Sequence, residues 1–491
     1  MMEKVRINTK RTYIAKKKAF DYQQEAVDEI KDLEYAAVFH EQGLGKTKIA
    51  IDLLLYWIKN KSVEVVLIVT KKQLVSNWIV EIKEHADIVP VVLNNDKRNN
   101  YYVFNGKSRV IITNFETLVT EKKRFNLYLD ILDVGIIVDE SVKLKNPNSN
   151  LTKTYFDLRE KFAKRVIMTG TPIANRPYDI WSQVFFLDGG KSLGKDYKTF
   201  KKEYDLTNEL YKDRERIDSF EGNLQGLYNK IDSFSVRETK NSGIISLPKK
   251  KYINVTVEFE EEQLEMYETI RKEMVIILEK DDKSILDDSS AILKRLLRLV
   301  QVTSNPKLLN DLYGEISSKE KELDILIKQI IERKEKCIVW SNYIENIDYF
   351  KTKYNSIGSV KIHGKMTIED RVKSVERFKN DDNVSVLFAT PQAAKEGLTL
   401  TEANNVIFYD RSFSLDDYLQ AQDRIHRISQ TKVCNVYNLI VRGSIDEWID
   451  VLLQAKEWAA KLGQGDISLE EYKKHIDYSF GDIIREIIGG N

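Results

Sequence analysis

The sequence has few of the residues that stabilise secreted proteins or anchor proteins in membranes. Among its 491 residues there are only two cysteines, Cys337 and Cys434, and each lies in an apolar run typical of a strand. This pattern predicts buried, reduced thiols and argues against a disulfide-stabilised fold. The longest apolar runs have the length of a strand, and no signal peptide or lipidation motif is recognisable. We therefore expect a soluble protein that makes no contact with a membrane.

An excess of charge of either sign is also missing. Lys and Arg number 77 and Asp and Glu number 76, so the formal net charge is only +1. Any contact with nucleic acid must therefore come from local basic patches. A chain of 491 residues is also too long for one hydrophobic core, which predicts two to four domains.

The apolar runs that are present fall into two groups, and both alternate with helical patterns. One group lies between residues 35 and 171 and the other between 336 and 440. Such alternation is typical of parallel α/β layers, so we predict two parallel sheets. Residues 177–320 separate the groups; they are mostly charged and helix-patterned, and the extended piece "LPKKKYINVTVEF" interrupts them.

A glycine-rich turn, "HEQGLGKT", joins the first apolar run to an amphipathic run. Glycines at 43 and 45 let backbone N–H groups curl around phosphate oxygens, Lys46 can reach the β- and γ-phosphates, and Thr47 can hold Mg²⁺. The usual pattern G-x-x-x-x-G-K-[ST] has a glycine where this chain has His40. Helicase-like motors often keep only the second half of the pattern, so we predict a site for ATP and Mg²⁺.

Two carboxylates follow another apolar run, in "VGIIVDE". At the end of a strand, Asp139 would hold Mg²⁺ through water and Glu140 would orient or deprotonate the attacking water. Acidic residues at a strand end are common, but together with the glycine-rich turn they predict an ATPase.

The segment "QAQDRIHRISQ" carries two arginines that are three positions apart. On a helix, Arg424 and Arg427 would share a face and could both reach a nucleotide held by the other half of the molecule. The alternative is that they are ordinary surface arginines of an ion-paired helix. His426, between them, is interpreted as a packing or orienting residue.

The order of these motifs resembles the Swi/Snf-type ATPases of helicase superfamily two, over nearly the whole chain. The resemblance also rests on an adenine-reading segment, an Asn-Trp pair in motif Ia, a motif III with its extension, and a linking segment with Arg237 and Lys240. In chain order, "FDYQQEAV" resembles the adenine-reading segment, "HEQGLGKT" motif I, "IVTKKQLVSNWIVEI" motif Ia, "VIITNFETL" motif Ib, "VDES" the acidic box, "KLKN" the turn after it, and "MTGTPIANRPYDIWS" motif III with its extension. "SVRETKNSGIISLPKKKY" resembles the linking segment, "LLRLVQVTSNPKLL" the helical segment that follows it, "VLFATPQAAKEGLTLTEANNVIFYD" motif V and "QAQDRIHRISQ" motif VI.

The resemblance implies two tandem RecA-like lobes with helical insertions and an ATP cleft between the lobes. The expected boundaries are 1–235 for the first, ATP-binding lobe with a helical insertion at about 177–235, 236–320 for a linker and the helical protrusion of the second lobe, 321–460 for the second lobe, and 461–491 for a C-terminal helical tail.

The resemblance to Swi/Snf-type ATPases also implies a set of catalytic and binding residues. Motif V lacks the family's common glycine pair, Ser141 stands where related acidic boxes have Ala or Gly, and Ser429 stands where Gly is usual; none of these changes removes a group that the chemistry needs. The catalytic residues would be Lys46, Asp139, Glu140, Arg424 and Arg427, with Thr47 and Asp139 at the metal. The nucleotide contacts would be Gln23, Gln42, Gly43, Leu44, Gly45, Lys46, Thr47, Gly397 and Gln420. Nucleic-acid contacts, through backbone amides and small polar groups, would be Lys71, Lys72, Thr113, Asn114, Ser341, Asn342, His363, Gly364, Lys365 and Thr390.

Three functions remain open from the sequence. The first is an ATP-driven motor that moves along double-stranded DNA or remodels proteins bound to it. The second is a strand-separating DNA or RNA helicase, and the third is an ATP-switched subunit that clamps DNA within a larger defence or replication assembly. The expected location is the cytoplasm, in a bacterium or a virus-infected cell, or the nucleus in a eukaryote.

Overall fold

The computed structural model describes residues 13–173, 175–205, 214–243, 247–280, 289–394 and 398–476. Contacts between residues divide the chain into two units, each with its own sheet. None of the helices in these described ranges combines the length and apolar character needed to span a bilayer. The first unit comprises Met1–Ile173, Tyr178–Glu203 and Gly226–Ile244, and the second comprises Ala174–Pro177, Tyr204–Gln225 and Ile245–Asn491.

A parallel sheet forms the centre of the first unit. Its strands are rich in Val and Ile, and every residue of Val65–Thr70 is buried, as is typical of parallel sheets. Its strands in the described residues are β1 Tyr35–Val38, β2 Val65–Thr70, β3 Val91–Val92, β4 Val110–Asn114, β5 Val134–Asp139, β6 Lys164–Met168 and β7 Ser235–Val236, in the spatial order β3-β4-β2-β5-β6-β1-β7.

Helices cover this sheet and bury its apolar side chains. The indole of Trp57 is fully buried, and a side chain at Gly135 of β5 would come within 3.2 Å of it, so glycine allows the close approach. The helices are α1 Asp21–Ile30, α2 Lys46–Lys59, α3 Val75–His85, α4 Lys97–Phe104, α5 Phe115–Thr120, α6 Lys122–Leu129, α7 Asn150–Leu158, α8 Ile180–Asp188 and α9 Tyr197–Glu203.

One edge of the first sheet collects most of the predicted site. The strands are parallel, so their carboxyl ends lie at the same edge, where ligands of open α/β sheets bind. The glycine-rich turn follows β1, Thr70 ends β2, Asp139 ends β5 and Thr169 follows β6. The topology therefore brings together motifs that are far apart in sequence.

The second unit is built around another parallel sheet. Its strands in the described residues are β8 Lys250–Val257, β9 Cys337–Trp340, β10 Ser359–Ile362, β11 Val386–Ala389, β12 Asn405–Phe408 and β13 Cys434–Val441, in the order β10-β11-β9-β12-β13-β8. The helices are α10 Arg214–Gln225, α11 Glu261–Lys280, α12 Ser289–Ser304, α13 Ser318–Glu332, α14 Ile344–Lys353, α15 Ile368–Asn380, α16 Pro391–Ala394, α17 Leu415–Gln422, α18 Ile445–Gly463 and α19 Leu469–His475.

The two predicted parallel sheets are confirmed, and each contains strands that the apolar runs did not reveal. β3 and β7 have only two residues each, too few for a periodic pattern. The extended piece between the groups forms β8, which pairs in parallel with β13 along eight residues at the sheet edge.

The contacts place two segments differently from the predicted boundaries. Residues 236–244, predicted as part of the linker, lie in the first unit because β7 pairs with β1. The described residues 204–205 and 214–225, predicted within the first lobe's insertion, lie in the second unit, where Lys473 Nζ is 3.0 Å from the buried carboxylate of Glu221 in α10. Pairing and ion contacts between distant segments decide both assignments, and local sequence does not encode them.

Candidate nucleotide and nucleic-acid sites

The glycine-rich turn forms a loop over residues 39–45, between β1 and α2. Gly43 and Gly45 have φ angles of 88° and 73°, in the left-handed region where glycine is strongly favoured. A Cβ atom at Gly45 would lie only 2.3 Å from Gln23 Nε2. The loop is therefore a backbone cradle at a helix N-terminus, a geometry that suits phosphate oxygens.

Lys46 begins α2 and folds back across the loop. Its Nζ atom donates to the carbonyl oxygens of His40 at 3.0 Å and Glu41 at 3.1 Å. These contacts hold the ammonium group over the backbone cradle, while Thr47 lies beside it in the first turn of the helix. The positions of both residues fit their predicted roles at phosphate and Mg²⁺.

His40 occupies the position of the missing glycine and is buried, with 2% of its surface exposed. Burial, with the neighbouring charges of Lys46 and Arg237, lowers its pKa to about 4, although a hydrogen bond to the backbone of Val236 raises it. The imidazole is therefore neutral at pH 7 and adds no charge to the phosphate loop.

Gln23 joins α1 to the phosphate loop. Its Oε1 accepts from the backbone N–H of Phe20 at 3.1 Å, and its Nε2 donates to the carbonyl of Leu44 at 3.2 Å. The side chain of Phe20, next to it, is 57% exposed and stacks on Tyr22 with ring centroids 6.0 Å apart. Gln23 therefore holds the loop in place, and its contact with adenine stays a prediction.

Asp139 ends β5 with its carboxylate already partly bound. Its Oδ2 accepts from Thr70 Oγ1 at 3.1 Å and from the indole N–H of Trp78 at 2.9 Å. Burial raises the pKa of Asp139 and the adjacent Glu140 carboxylate raises it further, while the two hydrogen bonds and Lys46 lower it. Trp78, from the Asn-Trp pair of motif Ia, thus orients the carboxylate of Asp139.

Glu140 has an unusual backbone conformation, with φ 57° and ψ 49°. A residue other than glycine in this region is uncommon, and such strain often occurs at functional sites. Its Oε1 accepts from Gln42 Nε2 at 3.4 Å, and its Oε2 lies 3.6 Å from Lys71 Nζ. A Cβ atom at Gly170 of motif III would lie 2.8 Å from Gln42 Cγ, so glycine there makes room for this contact.

The arginines of motif VI lie in a turn after α17, and the prediction that they share a helix face is wrong. The helix ends at Gln422, and the backbone N–H groups of Arg424 and Ile425 then donate to carbonyls only three residues back. The carbonyl of Arg424 accepts from the backbone N–H of Leu400 at 2.9 Å, a partner that is distant in sequence. No glycine or proline near this end announces the stop in the sequence.

Both guanidinium groups nevertheless converge on residues 398 and 399. Arg424 Nη1 donates to the carbonyl of Leu398 at 3.4 Å, and Arg427 Nη1 donates to Thr399 Oγ1 at 2.6 Å. Burial lowers the pKa of Arg427, while the charge of Asp423 raises it. Gly397, the predicted nucleotide contact of motif V, lies outside the described residues. Gln420 is buried in α17, and its Nε2 donates to Asp416 Oδ1 at 2.7 Å.

The predicted nucleic-acid contacts of the first unit differ in exposure. Thr113 is buried and its hydroxyl donates to the carbonyl of Leu93 at 3.3 Å, while Asn114 accepts from the backbone N–H of Thr117 and caps α5. Lys72 is exposed, whereas Lys71 is turned towards Glu140. Lys72 is therefore the cation of this set best placed to meet a phosphate.

In the second unit a buried carboxylate orders one predicted contact loop. Asp410 accepts from the backbone N–H and the side-chain amide of Asn342, both at 2.7 Å, and from Ser304 Oγ at 2.8 Å; the hydroxyl of Ser341 also donates to it. Burial raises the pKa of Asp410, while these donors lower it. Asp410 thus fixes the loop that follows β9.

The other predicted contacts lie after β10 and β11. His363 is buried, with its Nε2 3.2 Å from Asp348 Oδ1, and Thr390 is buried too. Gly364 is exposed and its carbonyl accepts from Arg371 at 2.9 Å. The side chain of Lys365 is 72% exposed and offers a cation at this edge.

Comparison with protein families agrees with the motif order. Residues 22–308 match the model described as the SNF2-related domain, and residues 320–429 match the helicase conserved C-terminal domain. The first match alone covers more than half of the chain. The chain belongs to the SNF2-related family. The resemblance to Swi/Snf-type ATPases is thereby confirmed.

Relatives of this SNF2-family chain occur in several organisms. An ATP-dependent helicase of Mycoplasma genitalium is 29% identical over 475 residues, which cover 92% of this chain and 43% of the relative. YwqA of Bacillus subtilis, named as an ATP-dependent helicase/translocase, is 26% identical, covering 86% of this chain and 46% of the relative. The chain therefore spans less than half the length of these two relatives.

A solved structure was also compared with the SNF2-family chain. The SWI2/SNF2 ATPase core of Sulfolobus solfataricus, solved in complex with double-stranded DNA, is 23% identical, covers 95% of this chain and 98% of its own, and has a TM-score of 0.43.

Sequence reasoning missed several residues that shape the SNF2-family site. Glu41, Asp410 and Asp423 each hold a functional loop through hydrogen bonds to segments that are distant in sequence. The only local signal was their position next to recognised motifs. A charged residue that lies within a motif but has no assigned chemical role is therefore a good candidate for a positioning role.

Proposed function

We propose that this chain is an ATP-hydrolysing motor in which each unit supplies one wall of the nucleotide site. The observation that carries the proposal is the group at the edge of the first sheet: the phosphate loop, Lys46, Asp139 and Glu140. The second unit contributes Arg424 and Arg427, whose guanidinium groups converge on one loop. Membership of the SNF2-related family and the names of the relatives support the same activity.

The residues present fit ATP with Mg²⁺. Positive φ angles at Gly43 and Gly45 open the backbone cradle, and Lys46 lies above it. Thr47 and Asp139 would hold Mg²⁺, which usually takes only one or two protein oxygens besides phosphates and water. When bound, the ion would supply positive charge that offsets the charge of the phosphates.

The protein groups have separate tasks in hydrolysis. Glu140 orients the attacking water and accepts its proton, Lys46 binds the terminal phosphates, and Gln42 keeps Glu140 in place. Arg424 and Arg427 stabilise charge on the transferred phosphoryl group, a role worth on the order of 10³-fold in rate.

We propose that the motor moves along double-stranded DNA. Contacts through Lys72, Lys365, the half-buried Asn342 and the backbone amides of the other predicted residues would meet phosphates and sugars, which carry no sequence information. Binding would then weaken steeply with salt and vary little with sequence. Movement along a duplex needs no strand separation, which costs about 1.4 kcal/mol per base-pair step.

Two displacement assays with the same chain test this assignment. We expect ATP-dependent release of the third strand from a triplex and no release of a paired strand from a forked duplex. Glu140→Gln is the matched control, since it should bind the same DNA without movement. Robust unwinding of the fork, or turnover stimulated by RNA alone, would favour the strand-separating helicase. DNA binding with little turnover would favour the ATP-switched clamp.

A further inference from the structure

The segment that connects the two sheets is described over residues 235–243 and 247–252, and the first of these parts is in contact with the phosphate loop. Arg237 Nη1 donates to the carbonyl of Phe39 at 2.8 Å, and the backbone N–H of Glu41 donates to the carbonyl of Glu238 at 2.9 Å. The backbone N–H of Lys240 donates to Glu41 Oε2 at 2.7 Å. This end therefore holds the two residues, 40 and 41, whose carbonyls bind Lys46.

The other end of this connecting segment is in contact with the turn that carries the arginines. His426 Nε2 donates to the carbonyl of Pro248 at 2.8 Å. Lys250 Nζ donates to Asp423 Oδ1 at 3.0 Å, and the side chains of this pair are only 18% and 12% exposed. Partial burial strengthens such a charge-assisted bond relative to a surface pair.

Asp423 links this contact to a catalytic group. Its carboxylate accepts from Lys250, and its backbone carbonyl accepts from Arg427 Nε at 3.1 Å. Next to it, Gln422 Oε1 accepts from the hydroxyl of Tyr252 at 3.0 Å. Lys250 and Tyr252 of β8 thus hold Gln422 and Asp423, the residues from which the arginine turn begins.

We propose that the connecting segment positions both walls of the nucleotide site, with Lys250 as the positioning residue for Arg427 and the Glu41 contact to Lys240 as the anchor of the phosphate loop. The inference rests on the proposed ATPase function and adds the residues that set the geometry of each wall. Neither Lys250 nor Glu41 needs to touch the reacting atoms for this role.

The two ends should act on different kinetic constants. The phosphate loop binds ATP in the ground state, so loosening it should weaken ATP binding. Arg427 acts on the transition state, so misplacing it should lower kcat while the KM for ATP stays the same. Loss of folded protein would lower the rate and the number of nucleotide-binding sites together, whereas misplacing Arg427 should lower kcat per nucleotide-binding site.

The test measures steady-state ATP hydrolysis with duplex DNA and the affinity for a fluorescent ATP analogue. Lys250→Met should lower kcat by about 10- to 100-fold, as expected for a small displacement of a catalytic group, with nucleotide affinity unchanged. Lys250→Arg keeps the charge and should retain most of the turnover. Lys251→Met, at the next and exposed position of the same strand, should match wild type. Glu41→Ala should raise the dissociation constant for the nucleotide by about tenfold, the range of contacts within one network.

The outcomes distinguish this inference from the proposed ATPase function on which it rests. An active wild type whose kcat is unaffected by Lys250→Met, or a Lys250→Arg variant as impaired as Lys250→Met, would overturn the positioning role alone. A wild type without turnover would overturn the ATPase proposal itself. If Lys250→Met does not fold, Lys250→Gln and Lys250→Arg decide the question: lower kcat in Gln but not in Arg supports the role, and equal values overturn it.

Discussion

The phosphate loop and the arginine turn each present cations to the nucleotide in the proposed mechanism, but the contacts that hold these cations differ. In the loop, Lys46 is held by carbonyls only five and six residues away, between a strand and a helix. In the turn, Arg424 and Arg427 contact residues 26 and 28 positions away, and Asp423 is held by Lys250, 173 positions away. In the first wall Lys46 is therefore held within its own loop, and we call it the local wall for that reason. In the second, which we call the distant wall, both arginines also depend on segments that are far away in sequence.

The largest expected effect concerns the local wall. Glu140→Gln removes the group that accepts the proton from water and should lower ATP turnover by about 100-fold or more, with nucleotide binding intact. Lys46→Ala should instead weaken nucleotide binding itself, because it removes the phosphate-binding cation. Turnover and fluorescent-nucleotide affinity, measured on the same samples, check both. Wild-type turnover in Glu140→Gln would refute the role given to this carboxylate.

A similar loss of rate, again with nucleotide affinity kept, is expected in the distant wall. Arg424→Ala and Arg427→Ala should each lower DNA-stimulated turnover by up to about 10³-fold, while affinity for the nucleotide stays close to wild type. Arg442→Ala, which removes an exposed arginine of the same unit, is the control. If both variants hydrolysed ATP normally, motif VI would have only a structural role.

This contrast explains what could be predicted from the sequence. The two glycines and Lys46 lie in one short loop, so a short motif identifies them, and the parallel sheets follow from runs of Val and Ile. The acidic pair is recognised by its place at a strand end, but its contacts with Thr70, Trp78 and Gln42 come from the fold. The turn that holds Arg424 and Arg427 was predicted as helix, because no glycine or proline marks the end of α17 at Gln422. Contacts made by tertiary structure override a local preference, and no periodicity reveals them.

The same reason applies to the segments at the unit boundaries. β7 has two residues, and its membership of the first sheet follows only from its pairing with β1. The predicted phosphate contacts are a further case: the sequence shows that Thr113 and Ser341 are small and polar, but only the fold shows that both are buried.

A smaller effect should appear in stability, and it compares a buried and an exposed carboxylate of the second unit. Asp410 receives hydrogen bonds from Ser304, Ser341 and Asn342, so Asp410→Ala leaves several buried donors without an acceptor. We expect the free energy of unfolding to fall by about 3 kcal/mol, measured by urea denaturation. Asp382→Ala, at an exposed position, should change it little. An Asp410→Ala variant as stable as wild type would contradict the ordering role.

The smallest expected effect is on the pH dependence of the unfolding free energy, and it tests the phosphate loop of the local wall again. The pKa of His40 is lowered to about 4 in the folded protein, against about 6.5 in the unfolded chain. The unfolded state therefore binds a proton first, and stability falls as the pH drops from 6.5 towards 4. At pH 5.5 this amounts to about 1 kcal/mol.

Replacing the histidine should remove this part of the acid sensitivity. We expect the difference in unfolding free energy between pH 7.5 and pH 5.5 to be smaller in His40→Gln than in wild type, and unchanged in His475→Gln, where the side chain is exposed. An identical pH dependence in His40→Gln and wild type would show that this imidazole is not held in its neutral form.

The most direct test of the central claim is the rate of ATP hydrolysis without nucleic acid, with duplex DNA, with single-stranded DNA and with RNA, for wild type and Arg427→Ala. A motor with one wall in each unit predicts that duplex DNA stimulates the wild type most and that Arg427→Ala loses this stimulation while it still binds nucleotide. Equal stimulation of both proteins by duplex DNA, or a wild type stimulated only by single strands or RNA, would contradict the account.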